Sequence, residues 1–289
     1  MHWFSLALLT AFFAATEAAL AKRFLGDLRP LAMTACHQLS TLPFFIVLFL
    51  CIDKPPLAAD FWQTVAVLLP LNMAGTLSYL AALQCAPISL TMPFLSFTPI
   101  IVAGSAYLML GETPSWPGLV GILGVGLGSW ILNFSGRRPR TLLAPLQALA
   151  HARGIWLMLL AAVVFGFTAV LGKKLILQSS PLYAVVVFFL IHNTLLGFGL
   201  LSVTRTPAAV LKTHLLPGLL VGLALMAHVI CHFHGIALAP AAYMMSIKRL
   251  SVLFAVLYGG WLFKEPDILF RLAGAALMSA GAAVITLAG

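Results

Sequence analysis

The chain has 289 residues, of which 62% are hydrophobic and only 8% are charged. Soluble domains carry about 25% charged residues, so this composition, with a mean hydropathy of +1.08, excludes a soluble protein and indicates a polytopic membrane protein. The formal net charge of +9 is typical of short cytoplasmic loops that face anionic lipid, so it requires no nucleic-acid partner.

Apolar runs of transmembrane length recur along the whole chain. A hydrocarbon core about 30 Å thick needs about 20 helical residues, and strands would require an alternation that the sequence lacks. The runs predict ten transmembrane helices, at residues 3–21, 31–52, 63–83, 88–110, 116–133, 154–171, 182–203, 214–236, 241–262 and 268–288. We interpret the first run as a helix and not a signal peptide, because no basic segment precedes it.

The two halves of the chain resemble each other. At a fixed offset of 153 residues, Ala86-Pro87 aligns with Ala239-Pro240, and Glu112 aligns with Glu265. A repeat of five helices reverses its own orientation, and inverted repeats are typical of secondary transporters. The sequence therefore predicts an all-α membrane fold of two inverted five-helix repeats. The predicted organisation is a first repeat, a basic connecting loop and a second repeat, at residues 1–133, 134–153 and 154–289.

The charges of the predicted loops indicate an orientation. The loops on one side of the membrane hold ten Lys and Arg residues, and those on the other side hold three. Since basic loops stay in the cytoplasm, this asymmetry predicts that both termini lie outside. The expected location is the bacterial inner (plasma) membrane.

The repeated segments resemble a known family. Each half carries a helix that begins at Ala-Pro and ends at Leu-Gly-Glu112 or Phe-Lys-Glu265, and the second reads APAAYMMSIKRLSVLFAVLYGGWLFKE. Ten helices in two such halves resemble the EamA-type branch of the drug/metabolite transporter superfamily, over nearly the whole chain. The resemblance implies a permease. Members move amino acids, nucleotide sugars, sugar phosphates, cationic drugs or lipid-linked sugars, so the substrate stays open.

Two adjacent cations, Lys248 and Arg249, lie in the middle of the ninth predicted helix. A charge at membrane depth costs about 2.5–3.5 kcal/mol on insertion scales, so such residues usually face a cavity or a counter-ion. Arg offers a planar fork for phosphate or carboxylate, and Lys offers a point charge. We interpret the pair as an anion-binding site; the alternative is that one cation snorkels to the membrane surface or pairs with Glu17. Sugar-phosphate carriers of the superfamily are similar in this pair, which implies an anionic substrate.

Glu17 is the only carboxylate well inside a predicted helix. A lone buried carboxylate is a candidate for proton coupling, and a salt bridge that balances Lys248 or Arg249 is the alternative. The two roles are compatible, because a substrate that breaks the pairing would link its own binding to that of a proton.

Further polar residues complete the predicted substrate site. His228 and His232 are four residues apart and share a helix face, whereas His234 points elsewhere. A proton relay or substrate contact and hydrogen bonding between helices remain open for these histidines. The repeat alignment places Tyr79 opposite His232, and Tyr243 and Ser246 precede the cationic pair on its own helix. We predict substrate contacts for His228, His232, Tyr79, Tyr243 and Ser246, in addition to the cationic pair.

The sequence gives no indication of an enzyme. It contains no phosphate-binding loop, nucleophile elbow or dinucleotide fingerprint, and its four cysteines form no CxxC motif. We expect no cofactor and no metal. The sequence predicts a secondary transporter for a small organic anion or phosphorylated metabolite, in contact with membrane lipid. An amino-acid or metabolite exporter and a lipid-linked phosphosugar flippase are the alternatives within transport. A non-transporting intramembrane enzyme or scaffold is the alternative from another class.

Overall fold

The computed structural model describes residues 2–85, 91–133, 153–205, 208–263 and 268–288. These residues form α-helices with one 3-10 segment, and none of them forms a strand. The helices are α1 (His2–Leu25), α2 (Pro30–Cys51), α3 (Phe61–Cys85), α4 (Thr98–Leu110), α5 (Trp116–Asn133), α6 (Arg153–Leu177), α7 (Pro181–Thr204), α8 (Ala208–Leu238), α9 (Ala241–Lys248), α10 (Ser251–Phe263) and α11 (Ile268–Ala288). The 3-10 segment, Met92–Phe97, directly precedes α4.

Six of these helices are long and apolar enough to cross a membrane, by length and composition: α1, α2, α3, α6, α7 and α8. Shorter apolar helical stretches occur at Phe94–Leu110, Trp116–Ile131 and Ala273–Ala288. The chain is therefore an all-helical integral membrane protein, and the number of ten spans stays a prediction.

The predicted ninth helix is not continuous. α9 ends at Lys248 and α10 begins at Ser251, and the turn between them is tightened to 3-10 geometry. Its bonds run from the Arg249 N–H to the Ser246 carbonyl (3.0 Å) and from the Leu250 N–H to the Ile247 carbonyl (2.9 Å). The fourth predicted helix is irregular at the corresponding place, because the Met92–Phe97 segment precedes α4. Short 3-10 stretches inside helices often mark hinges.

Helices of the two halves pack in pairs that are related by exchanging the halves. α1 packs against α8, and α6, the first helix of the second half, packs against α3. In the same way α1 contacts α10 and α6 contacts α4, while α2 pairs with α7 and α5 with α11. An approximate two-fold relationship between the halves accounts for this pattern, and it puts the helices of both halves around one central space.

Glycines bring α5 and α11 into backbone contact. A Cβ atom on Gly128 would lie 2.6 Å from the backbone nitrogen of Met278, and one on Gly121 would lie 2.7 Å from the Gly281 carbonyl oxygen. No side chain fits at such distances, so the close approach depends on glycine, as is common between membrane helices. This interface joins the last helix of each half.

Candidate functional site

A cavity of about 450 Å³ lies between the two halves, within the range of ligand-binding sites. Its described walls come from α3, α6, α7, α8, α9 and the 3-10 turns that follow α9 and precede α4. Most of the lining side chains are apolar. The polar lining residues are Asn72, Tyr79, Thr168, His228, His232, Lys248 and Arg249.

Both predicted cations, Lys248 and Arg249, line this cavity. Lys248 ends α9, and Arg249 begins the 3-10 turn. Within the described ranges, no carboxylate forms an ion pair with either of them. The Arg249 Nε is buried and has no hydrogen-bond partner in that part of the chain. The pair therefore presents positive charge to the cavity that no described carboxylate neutralises at close range.

Glu17 pairs with two histidines instead of the cations. Its Oε2 accepts a hydrogen bond from His228 Nδ1 at 2.8 Å, and its Oε1 lies 3.2 Å from His37 Nε2. The second contact has the distance of an ion pair without the alignment of a hydrogen bond, since His37 Nε2 finds no aligned partner. Among the described residues, Glu17 therefore does not form the alternative salt bridge to Lys248 or Arg249, and it forms a cluster with His37 (α2) and His228 (α8) from its own place on α1.

His228 connects this cluster to the cavity. An ionised carboxylate can only accept, so the bond to Glu17 requires the His228 hydrogen on Nδ1. The other ring nitrogen, Nε2, is buried without a described partner, and His228 also lines the cavity. The imidazole therefore stands between a carboxylate on one side and the cavity on the other, which is the arrangement that a proton relay requires.

The remaining predicted residues divide between the cavity and the helix packing. His232 and Tyr79 line the cavity, and His232 Nδ1 is buried without a described partner. The Tyr243 hydroxyl instead accepts the Ser115 N–H (2.9 Å) and donates to Ser115 Oγ (3.2 Å). Ser246 is fully buried and donates to the Ala242 carbonyl. Tyr243 and Ser246 therefore lie outside the described lining, because each faces a neighbouring helix or its own.

Two polar residues of the lining, Asn72 and Thr168, were not among the predicted substrate contacts. Asn72 is seven residues before Tyr79 on α3, so the two share a face, and that spacing would have found it. Thr168 is the repeat counterpart of Glu17 and donates to the Phe165 carbonyl at 3.2 Å. The lining also contains four phenylalanines that no pattern singled out: Phe165, Phe188, Phe189 and Phe233.

A second group of charges, the buried Lys173 and the half-buried Glu112, lies outside the cavity lining. Lys173 on α6 forms an ion pair with Glu112 at 2.5 Å and donates to the Ala239 carbonyl at 2.6 Å. The other Glu112 oxygen accepts the Ala241 N–H at 2.8 Å, where a carboxylate also suits the N-terminus of α9. We call these two side chains and their two backbone partners the α9 clasp. It fixes the start of α9 to α6 and to the segment after α4.

No metal site is evident in the described ranges. They contain no group of three or more His, Cys, Asp or Glu residues placed to hold an ion. The four cysteines are free thiols. The chemistry of the cavity therefore rests on its cations, imidazoles and aromatic rings.

Comparisons with known proteins agree with this architecture. The model of the EamA-like transporter family matches residues 1–134 and again residues 152–287. One solved crystal structure aligns over 99% of this chain and 96% of its own, with a TM-score of 0.73 and 17% sequence identity. At that identity the likeness establishes the fold alone. No curated protein sequence matches the chain significantly.

Proposed function

The chain belongs to the EamA-like transporter family, within the drug/metabolite transporter superfamily, and on that premise we propose that it is a secondary transporter for a small organic anion, including phosphorylated metabolites. Members of the family are membrane transporters and not enzymes. The observation that carries the proposal is the pair of cations, Lys248 and Arg249, that lines the cavity without a described carboxylate partner.

A bound anion would offset the cost of holding two adjacent cations inside the membrane. Two adjacent cations removed from water are costly, and the cost falls when a negative group contacts both. Arg249 would bind carboxylate or phosphate oxygens through its planar fork, and Lys248 would add a third donor as a point charge. Substrate affinity would then come mainly from the charge of the substrate.

Glu17 would couple this site to a proton or balance its charge. With the cavity empty, an ionised Glu17 offsets part of the positive charge of Lys248 and Arg249. Uptake of a proton from the cavity by the Glu17–His228 pair would remove that offset, since His228 contacts both Glu17 and the cavity. The groups that face this step are His37 on α2, His232 on α8 and Lys248 on α9. Proton coupling predicts transport that depends on pH and on Glu17.

Alternating access is the mechanism that suits this fold. Interrupted helices in corresponding positions of two halves are typical of transporters whose site lies between inverted repeats. Here the interruptions are the Met92–Phe97 segment and the turn at Arg249. We propose that the two halves move around the cavity, in a bacterial inner membrane and with both termini outside.

Counterflow in proteoliposomes tests the proposal. Vesicles that contain the wild-type protein and a candidate metabolite inside should accumulate the same labelled compound from outside. Anionic compounds should exchange, whereas matched cationic compounds should not. The variant Lys248→Met should lose this exchange, and Lys174→Met, which removes a cation outside the described cavity lining, should keep it.

Two results would contradict the proposal. Exchange of zwitterionic amino acids that persists in Lys248→Met would favour an amino-acid exporter. A wild-type protein that exchanges none of the anionic, zwitterionic and cationic metabolites in the screen, while Lys248→Met keeps full biological activity, would favour a non-transporting membrane protein.

A further inference from the structure

We propose that the preferred substrate is an anion with a flat aromatic body, in preference to a zwitterion or a polyhydroxylated phosphate. This inference rests on the proposed anion transport and narrows it to a chemical class. It follows from three features of the cavity: a continuous strip of rings, a small number of uncharged hydrogen-bonding groups, and a described lining that includes no carboxylate.

A strip of aromatic rings lines the cavity that also contains the two cations. Phe188 and Phe189 on α7 have ring centroids 5.2 Å apart, and Phe189 lies 6.0 Å from Phe233 on α8. Phe233 lies 6.0 Å from His232, which in turn lies 6.5 Å from His228. All five residues line the cavity. Rings at such distances pack edge-to-face or offset, so the strip provides a surface on which a further ring can stack.

Apart from its two cations and two imidazoles, the described lining offers few groups that could bind hydroxyls. Its uncharged, non-imidazole polar lining residues are Asn72, Thr168 and Tyr79, and the Thr168 hydroxyl already donates to its own helix. A sugar brings several hydroxyls, each of which loses its water and needs a protein partner. An aromatic body needs no such partners, so the rings of the cavity suit it better.

The charge pattern disfavours a substrate that carries an ammonium group. None of the described lining residues is a carboxylate. Glu17 lies behind His228, and its two oxygens face His228 and His37. An amino-acid ammonium in this cavity would meet Lys248 and Arg249 without a counter-ion, and like charges repel strongly where water is scarce. A free aromatic carboxylate or phosphate avoids this cost.

The test uses pairs of probes that differ in one feature, titrated into the purified full-length protein by calorimetry. Phenyl phosphate and glycerol 3-phosphate share the anionic group, and 3-phenylpropionate and phenylalanine share the ring. We expect phenyl phosphate to bind at least about tenfold more tightly than glycerol 3-phosphate, because the ring removes apolar surface from water. We expect 3-phenylpropionate to bind more tightly than phenylalanine.

A pair of variants links the preference to the strip. Phe189→Leu should reduce the advantage of phenyl phosphate over glycerol 3-phosphate, whereas Phe198→Leu, on the exposed face of the same helix, should leave it unchanged. Equal affinity for the two phosphates, with binding still lost on removal of Lys248 and Arg249, would overturn the aromatic preference and leave the anion site intact. Binding of none of the four probes would instead count against the proposed function and this inference together.

Discussion

Two groups of buried charge in this protein differ in how completely they are paired. In the α9 clasp, Lys173 and Glu112 satisfy each other and also bind the backbone at Ala239 and Ala241. At the other end of α9, Lys248 and Arg249 face a cavity without a described carboxylate partner. The same short helix is thus fixed at its start, and the charge at its end has no ion-pair partner among the described residues.

This difference separates a structural from a functional use of charge. A buried charge whose partners are all inside the protein stabilises one arrangement of helices, and it has no capacity left for a ligand. A buried charge without a partner lowers the stability of the fold, and binding of a ligand of opposite charge removes this cost. Changes at the two ends of α9 should therefore have opposite effects on folding stability.

The largest effect on stability is expected from the α9 clasp. Lys173→Met leaves the half-buried Glu112 carboxylate without its cation; breaking a fully buried pair costs about 3–5 kcal/mol, and the loss here should approach the lower end of that range. Unfolding in detergent should show this loss, and Lys174→Met, which removes an exposed cation from the next position, is the control. The swap Lys173→Glu with Glu112→Lys should not restore stability, because the Ala239 carbonyl needs a donor and the Ala241 N–H needs an acceptor. Full recovery in the swap would show that the clasp acts through its ion pair alone.

The cavity cations should show the reverse pattern. Arg249→Met removes charge-assisted hydrogen bonds to the anion, which are worth about 1.5–3 kcal/mol, so affinity should fall about 10- to 150-fold. The unfolding free energy of the empty protein should stay constant or rise, since an unneutralised charge has been removed. Calorimetric binding and detergent unfolding measure the two quantities on one sample. A variant that loses stability as Lys173→Met does would make Arg249 a structural residue.

A smaller effect is expected where α9 contacts the segment before α5. Tyr243→Phe removes two hydrogen bonds with Ser115, each worth about 0.5–1.5 kcal/mol. Stability should fall by about 1–3 kcal/mol for the two bonds together, while the affinity for an anion stays unchanged, since the Tyr243 hydroxyl faces Ser115. A marked loss of affinity with unchanged stability would instead show that Tyr243 contacts the substrate, as the sequence predicted.

The smallest effect is expected at the exposed ion pair of Asp60 and Lys174, whose charged groups lie 3.3 Å apart. The Lys174 ammonium holds the pKa of the Asp60 carboxyl below its usual value. A lowered folded-state pKa contributes stability above the unfolded pKa, and this contribution is lost as pH falls through the folded pKa. Since solvent screens the pair, Asp60→Asn should leave unfolding at neutral pH unchanged. A clear loss of stability would show that exposed pairs matter here as much as the clasp.

Helix faces and the repeat predicted a large part of this arrangement. Residues on one face of α8, or at matching positions of the two halves, come together, which is why His228, His232 and Tyr79 line the cavity with the cationic pair. A salt bridge from Glu17 to those cations was one of the two roles left open, because opposite charges attract, but His37 and His228 lie closer. Which residues pair with Glu17 depends on side-chain distances between helices that are far apart in sequence. The periodicity of the sequence carries no information about these distances.

The helix ends of the second half were harder to predict. Lys173 was assigned to a loop because charged residues usually end apolar helices, but α6 continues to Leu177 and buries it. The break after Lys248 contains neither proline nor glycine, so local sequence gave no indication of it. The repeat did hold a signal for the clasp, because Lys173 aligns with Lys22 and Glu112 with Glu265. A Lys and a Glu that stand at matching positions in the sequence of both halves indicate a structural role for the pair.

We propose that Lys248 and Arg249, which have no carboxylate partner among the described residues, bind an anion. Calorimetric titration of phenyl phosphate into the wild-type protein and into the double variant Lys248→Met, Arg249→Met tests it most directly. The account predicts saturable binding to the wild type, and a double variant that folds at least as stably and binds no phenyl phosphate. Equal affinity in both proteins would contradict the account, because the anion would then be held elsewhere.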